Sequence, residues 1–238
     1  MALVVLLGGS LAACGADDGP EGDASSATSV VTGSDGVLAV DGDGTTAVDP
    51  SALADEFAAA PAGTPDATEV AGLLFMVEEE KLALDVYTTL GATWDLPTFT
   101  NIAAAEATHV DAVGALLDRY AIADPTEGKA VGEYADARFT TLYQDLVTRG
   151  QTSAVSALEV GALIEELDIV DLDLRLAQTD EAPITTVYES LQAGSRNHLR
   201  AFDRALDARG VTYEPVHLDQ ASYDAIVSSG VERGGRTG

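Results

Sequence analysis

The chain has 238 residues, 46% of them apolar, enough for one sizeable core with an appended tail. Forty acidic side chains against twelve basic ones give a formal net charge of -28, a field that repels nucleic acid and anionic headgroups and suits cations or basic partners. A single cysteine excludes an internal disulfide and any multi-cysteine zinc or iron–sulfur site.

Residues 1–13, MALVVLLGGSLAA, form an apolar stretch too short to span a bilayer, and Leu11-Ala12-Ala13-Cys14-Gly15 reads as a lipobox. No Lys or Arg precedes the apolar run, a departure from the usual basic start. The expectation is a signal peptide cut before Cys14, which is then lipidated and anchors an extracytoplasmic lipoprotein to the membrane by that lipid alone. Residues 14–66 are mostly Gly, Ala, Ser, Thr and Asp, and the first basic residue of the chain is Lys81. With little to bury and much like charge to repel, this stretch is predicted to be a disordered acidic tether. Within it PSALADEFAAA (50–60) has the composition of a short helix.

Residues 67–229 are predicted to fold as an all-α domain, and 230–238 to trail as a disordered tail. Val70, Leu73, Val77, Leu84 and Tyr87 line one face of a helix over 68–90, with Thr68 as a candidate cap. Pro97 opens a second helix running to Tyr120, and residues 121–131, with Asp124-Pro125 and Gly128, read as loop. An extra helix over 134–149 ends at Gly150. Two long helices follow, over 153–176 and 184–209, the latter stopped by Gly210. Residues 211–229 hold Tyr213, Leu218, Tyr223 and Ile226, enough to wrap back onto the helices. No strand-like alternation stands out.

The candidate chemistry lies on four of these helices. Ile102, Glu106, His109, Val113, Leu116 and Tyr120 follow helical spacing, so a Glu-x-x-His pair sits in an apolar stripe where both side chains can face one ion, or bridge two. In Glu78-Glu79-Glu80 the third residue aligns best with the apolar face, while Glu79 borders a neighbouring face and remains a candidate. The helix over 153–176 carries Glu159, Glu165, Glu166 and Asp168; it is apolar or acidic on nearly every side, and buried carboxylates need compensating cations. Its spacing does not choose between Glu165 and Glu166. His198 shares a row with Ile184, Val187, Leu191 and Phe202. The predicted metal ligands are therefore Glu80, Glu106, His109, Glu165, Glu166 and His198, facing inward in a four-helix bundle.

The segments EEEKLALDVY (78–87), NIAAAEATHVDAV (101–113), VGALIEELDIVDL (160–172) and VYESLQAGSRNHLRAF (187–202) resemble the ferritin-like superfamily, and more closely its DUF2202 family. Glu80, Ala83 and Tyr87 also match the spacing of a rubrerythrin helix. The resemblance implies a ferritin-like four-helix bundle with an extra helix in the long crossover between the second and third bundle helices. It implies a di-iron site, Mn or Zn being further options, with Glu106 as bridging carboxylate, His109 as terminal ligand, and chemistry on dioxygen or peroxide. Ser195 stands where a second Glu-x-x-His would place its Glu, and rubrerythrin's cysteine-rich electron-transfer domain has no counterpart here. A redox cycle would thus require a separate electron donor, and a mononuclear or asymmetric site stays open. The competing expectation is an envelope-anchored structural or protein-binding bundle whose metal site is degenerate.

Overall fold

The computed structural model describes residues 37–40, 46–61 and 63–233. Four long helices make the bundle: α2 (Ala67–Trp94), α3 (Pro97–Arg119), α5 (Ala154–Leu176) and α6 (Ala182–Asp207). Helix α4 (Ala137–Gly150) occupies the crossover from α3 to α5, which gives the expected all-α, ferritin-like architecture with its extra helix. A two-stranded hairpin, β1 (Leu38–Val40) and β2 (Thr46–Val48), and helix α1 (Pro50–Ala59) precede the bundle; α7 (Gln220–Ser228) follows it. None of the described helices is long and apolar enough to cross a membrane. The predicted signal peptide and Cys14 lie outside the described residues.

Local signals set the helix ends. Asp66, not Thr68, caps α2: its carboxylate accepts from the amides of Thr68 and Glu69, and Glu69 returns the bond to the Asp66 amide. The helix outruns its predicted end at 90 because Gly91 is tolerated inside it, and a Cβ there would come within 3.2 Å of Phe99 Cβ, so the glycine lets α3 start close by. The chain then reverses through Asp95 in the left-handed region (φ 49°), and Pro97 begins α3.

The core is split. Leu73, Met76, Val77, Val113, Leu116, Leu172, Ile184, Val187 and Leu191 form one apolar cluster. Leu82, Val86, Tyr87, Phe99, Ile102, Leu158, Leu199 and Phe202 form another, which α4 and α7 extend. On each bundle helix the predicted ligands fall between the residues of these two clusters, so the polar layer is closed above and below by packed hydrocarbon.

Two expectations are corrected. Part of the presumed tether is ordered: Val37, Val48 and Leu53 bury their side chains against the bundle, and the Val48 amide donates to Thr108 Oγ1 on α3 (2.9 Å). Arg119 holds the end of α1 through the carbonyls of Phe57, Ala60 and Pro61. A few apolar groups too sparse to form a core alone can still bury on a finished one, which average composition over fifty residues conceals. The presumed tail also begins attached. Glu232 pairs with Arg196 and Arg200, and its backbone is held by Asn197.

Candidate metal centre

Glu106 is the hub. One of its oxygens, Oε2, lies 2.8 Å from His109 Nδ1 one helical turn away, and the other, Oε1, lies 2.9 Å from His198 Nδ1 on α6. On the outer sides, Glu80 Oε2 approaches His109 Nδ1 to 3.3 Å and Glu165 Oε2 approaches His198 Nδ1 to 3.6 Å. Two three-residue groups result, Glu80/Glu106/His109 and Glu106/Glu165/His198, each with all ligand atoms within 4.8 Å and both sharing Glu106. The two imidazoles stack with centroids 5.5 Å apart. All five side chains are at most 2% exposed.

The Glu165/Glu166 ambiguity is resolved by position. Glu165 faces the centre and accepts a 2.6 Å hydrogen bond from the Tyr87 hydroxyl. Glu166, though a predicted ligand, points away: its carboxylate accepts from the Tyr213 hydroxyl and from the amides of Val216, His217 and Leu218. It fastens the segment after α6 to α5. The acidic triplet of α2 divides similarly. Glu80 enters the centre, and Glu78 accepts from the amides of Ala135 and Asp136 at the start of α4. Glu79 is buried toward Asp171 and Arg175. Lys81 turns away from the centre to Asp85 and the Ala130 carbonyl, and Asp85 also accepts from Tyr134.

Further contacts shape the site. Thr46 of β2 is fully buried, with its hydroxyl 3.1 Å from His198 Nε2, so the hairpin fixes the ring whose Nδ1 faces the centre. Gly194 leaves room for the other ring: a Cβ there would lie 2.7 Å from His109 Cε1 and 2.8 Å from Nε2. Ser195 donates to Asp168 on α5. Of these, Asp168 and Ser195 were already marked in the sequence, Asp168 as a carboxylate of its helix and Ser195 as the residue in place of a second Glu. Thr46 lies in a stretch without periodicity, so nothing local marked it.

Burial acts on every group. It raises Glu80 and Glu165 to about 7, against the opposing pull of the neighbouring imidazoles. Burial would raise Glu106 as well, but the two imidazoles outweigh it and hold this carboxyl well below the usual range. The imidazoles respond in kind: burial would lower them, yet Glu106 and the outer carboxylates lift His109 to about 10 and His198 to about 9. Burial beside other carboxyls pushes Asp168 and Glu79 up.

The donor set fits divalent metal. Carboxylate oxygens and imidazole nitrogens suit iron, manganese or zinc. Buried Glu80 Oε1 and His198 Nδ1 lack a hydrogen-bond partner. His198 Nδ1 is close to Glu106 Oε1 yet not in hydrogen-bond geometry, the arrangement expected of two donors converging on a third body.

Residues 69–230 match the model of the family described as "Uncharacterized protein domain (DUF2202)", and the chain belongs to that family. The uncharacterized protein MJ0754 of Methanocaldococcus jannaschii is 49% identical over 166 residues, which cover 70% of this chain and 90% of that protein. The crystal structure of that hypothetical protein superposes with a TM-score of 0.71 at 46% identity, covering 72% of this chain and 98% of the other.

Proposed function

We propose that this DUF2202 protein binds two metal ions side by side in its bundle, iron being the resident metal, and acts there on dioxygen or peroxide. The supporting observation is the divided role of Glu106: each oxygen faces a different imidazole Nδ1, and each imidazole has its own outer carboxylate, Glu80 or Glu165. One shared carboxylate with a terminal His and a terminal Glu on each side is the ligand plan of two adjacent ions.

Glu80, His109 and one oxygen of Glu106 would hold one ion; Glu165, His198 and the other oxygen would hold the second. Bound iron would supply the electrons and the Lewis acidity for dioxygen or peroxide reduction. The chain contributes position and exclusion. Thr46 orients His198, Tyr87 orients Glu165, and the two apolar layers keep bulk water from the polar layer. The Tyr87 hydroxyl proton, on Glu165 Oε1, is the nearest phenolic proton available to that side of the centre. The lipobox at Cys14 extends the reading to an extracytoplasmic, membrane-anchored protein served by a separate electron donor.

Elemental analysis of the purified protein, loaded anaerobically with Fe(II), tests the reading beside a His109→Ala/His198→Ala variant. About two irons per chain, lost in the variant, are expected; mixing the loaded protein with dioxygen or peroxide should then give an oxidised-iron absorption band. A folded wild type that retains no stoichiometric metal refutes it.

A further inference from the structure

Helix α6 presents Ser195 three residues before His198, where a symmetric centre would carry its second Glu-x-x-His carboxylate. Ser195 is 1% exposed, and its hydroxyl lies against the Leu191 carbonyl (3.0 Å) and Oδ2 of Asp168. Asp168 is three residues beyond Glu165, on the same side of α5. It is 5% exposed; its second oxygen, Oδ1, is buried without a hydrogen-bond partner, as is Glu80 Oε1 across the bundle. Thus a carboxyl from α5 reaches the side chain at the position where α6 would have offered its own.

Charge balance leads to the same group. Two divalent ions bring four positive charges, and Glu80, Glu106 and Glu165 supply three negative ones. A buried, enclosed centre left with net charge is penalised. An ionised Asp168 brings the sum to zero.

We propose that Asp168 is a metal ligand of this centre, supplying from α5 the carboxylate that α6 lacks, with Ser195 holding its other oxygen. The inference rests on the two-ion reading above. It makes the centre asymmetric: α5 contributes two carboxylates one turn apart, α6 only an imidazole. Ser195 becomes a positioning residue rather than a sign of a lost site.

The test is Co(II) titration of the metal-free protein, followed by bound-metal count and by the visible ligand-field spectrum, with circular dichroism to confirm folding. Asp168→Asn keeps the shape and the hydrogen bond to Ser195 but removes the charge. Wild type should take up two Co(II) per chain, and Asp168→Asn should bind the second at least ~10-fold more weakly with an altered spectrum. In Asp168→Ala/Ser195→Glu the truncation frees space for a longer side chain on α6, and the second ion should return. A folded Asp168→Asn variant that binds two ions with wild-type affinity and spectrum overturns the inference while leaving the two-ion reading standing. So does a folded double variant that fails to recover the second ion, since the two carboxylates would then not be interchangeable. A wild type that binds no Co(II) removes both.

Discussion

Metal uptake by this centre should expel protons in a number set by the buried groups. At pH 7 both imidazoles, lifted to about 10 and about 9, carry a proton in the metal-free protein. Glu80 and Glu165, each raised to about 7, carry about half a proton apiece, and Glu106 carries none. The metal-free cluster is then neutral, two imidazolium charges facing about two negative charges on three carboxyls, which is why it can be buried at all. Ligands must be deprotonated to bind, so two ions displace ~3 protons from these five groups.

The number is measurable without assigning any single group. Isothermal titration of Co(II) or Mn(II) into the metal-free protein at pH 7, in two buffers of different ionisation enthalpy, yields the protons released per chain from the difference in heat. By linkage the product of the two binding constants should rise by ~10³-fold or more per pH unit near neutrality. Stoichiometric uptake of two ions with release of fewer than ~1 proton would refute the argument, because the imidazoles would then be neutral before metal arrives and the charge balance proposed for the empty cluster would be wrong.

Other perturbations separate the roles of neighbouring residues. The metal-free protein should lose thermal stability as pH rises from 5 to 9: Glu80 and Glu165, raised from 4.5 to about 7, and the imidazoles, raised from 6.5 to about 9 and 10, all bind protons more tightly folded than unfolded, so stability present at low pH is lost through those values. Thermal melts should show the gain from added metal growing over the same range; a flat metal-free profile contradicts this. Gly194→Ala should displace the His109 ring, costing about 1–3 kcal/mol in a denaturant titration and weakening metal binding, since its Cβ would sit 2.7 Å from Cε1. Thr46→Val, nearly isosteric, should leave the fold intact and lower metal affinity by ~10–100-fold through the freed His198 ring; an unchanged affinity would mean the hairpin only covers the site. Glu166→Gln should keep two ions per chain yet cost roughly 1.5–3 kcal/mol per strong bond lost and speed proteolysis after Gly210, whereas Glu165→Gln should lose metal.

Periodicity made the bundle legible because each long helix writes one apolar face every three or four residues, and Glu106, His109 and His198 sit on those faces. It could not separate Glu165 from Glu166. Helix α5 is covered on two sides, by the other bundle helices and by the segment 213–218, so both carboxylates have buried destinations and both read as inward. The acidic triplet of α2 was ambiguous for the same reason: Glu78, Glu79 and Glu80 are all buried, each against a different element. The hairpin was illegible for a different reason. Its pairing with α3 and α6 depends on a surface assembled from residues sixty to one hundred and fifty positions away, as the Val48–Thr108 and Thr46–His198 contacts show, and no local pattern encodes it.

The placement of Lys81 shows how the fold leaves the centre open to metal. In EEEK the lysine follows Glu80 directly, yet helical geometry turns it about 100° away, onto Asp85 and the crossover. Arg175 lies toward Glu79 and Phe75. The cationic partners acting most strongly on Glu80, Glu106 and Glu165 are therefore the two imidazoles, which can give up their charge, and not a lysine or arginine, which at neutral pH would keep it. A fixed cation there would satisfy the carboxylates permanently and compete with any ion. Titratable counter-charges keep the cluster neutral when empty and withdraw when metal arrives, so the same residues stabilise both states. Replacing Tyr87, the hydroxyl partner of Glu165, by phenylalanine should disturb this balance on one side only, because Glu80 has no equivalent hydroxyl partner among the described residues.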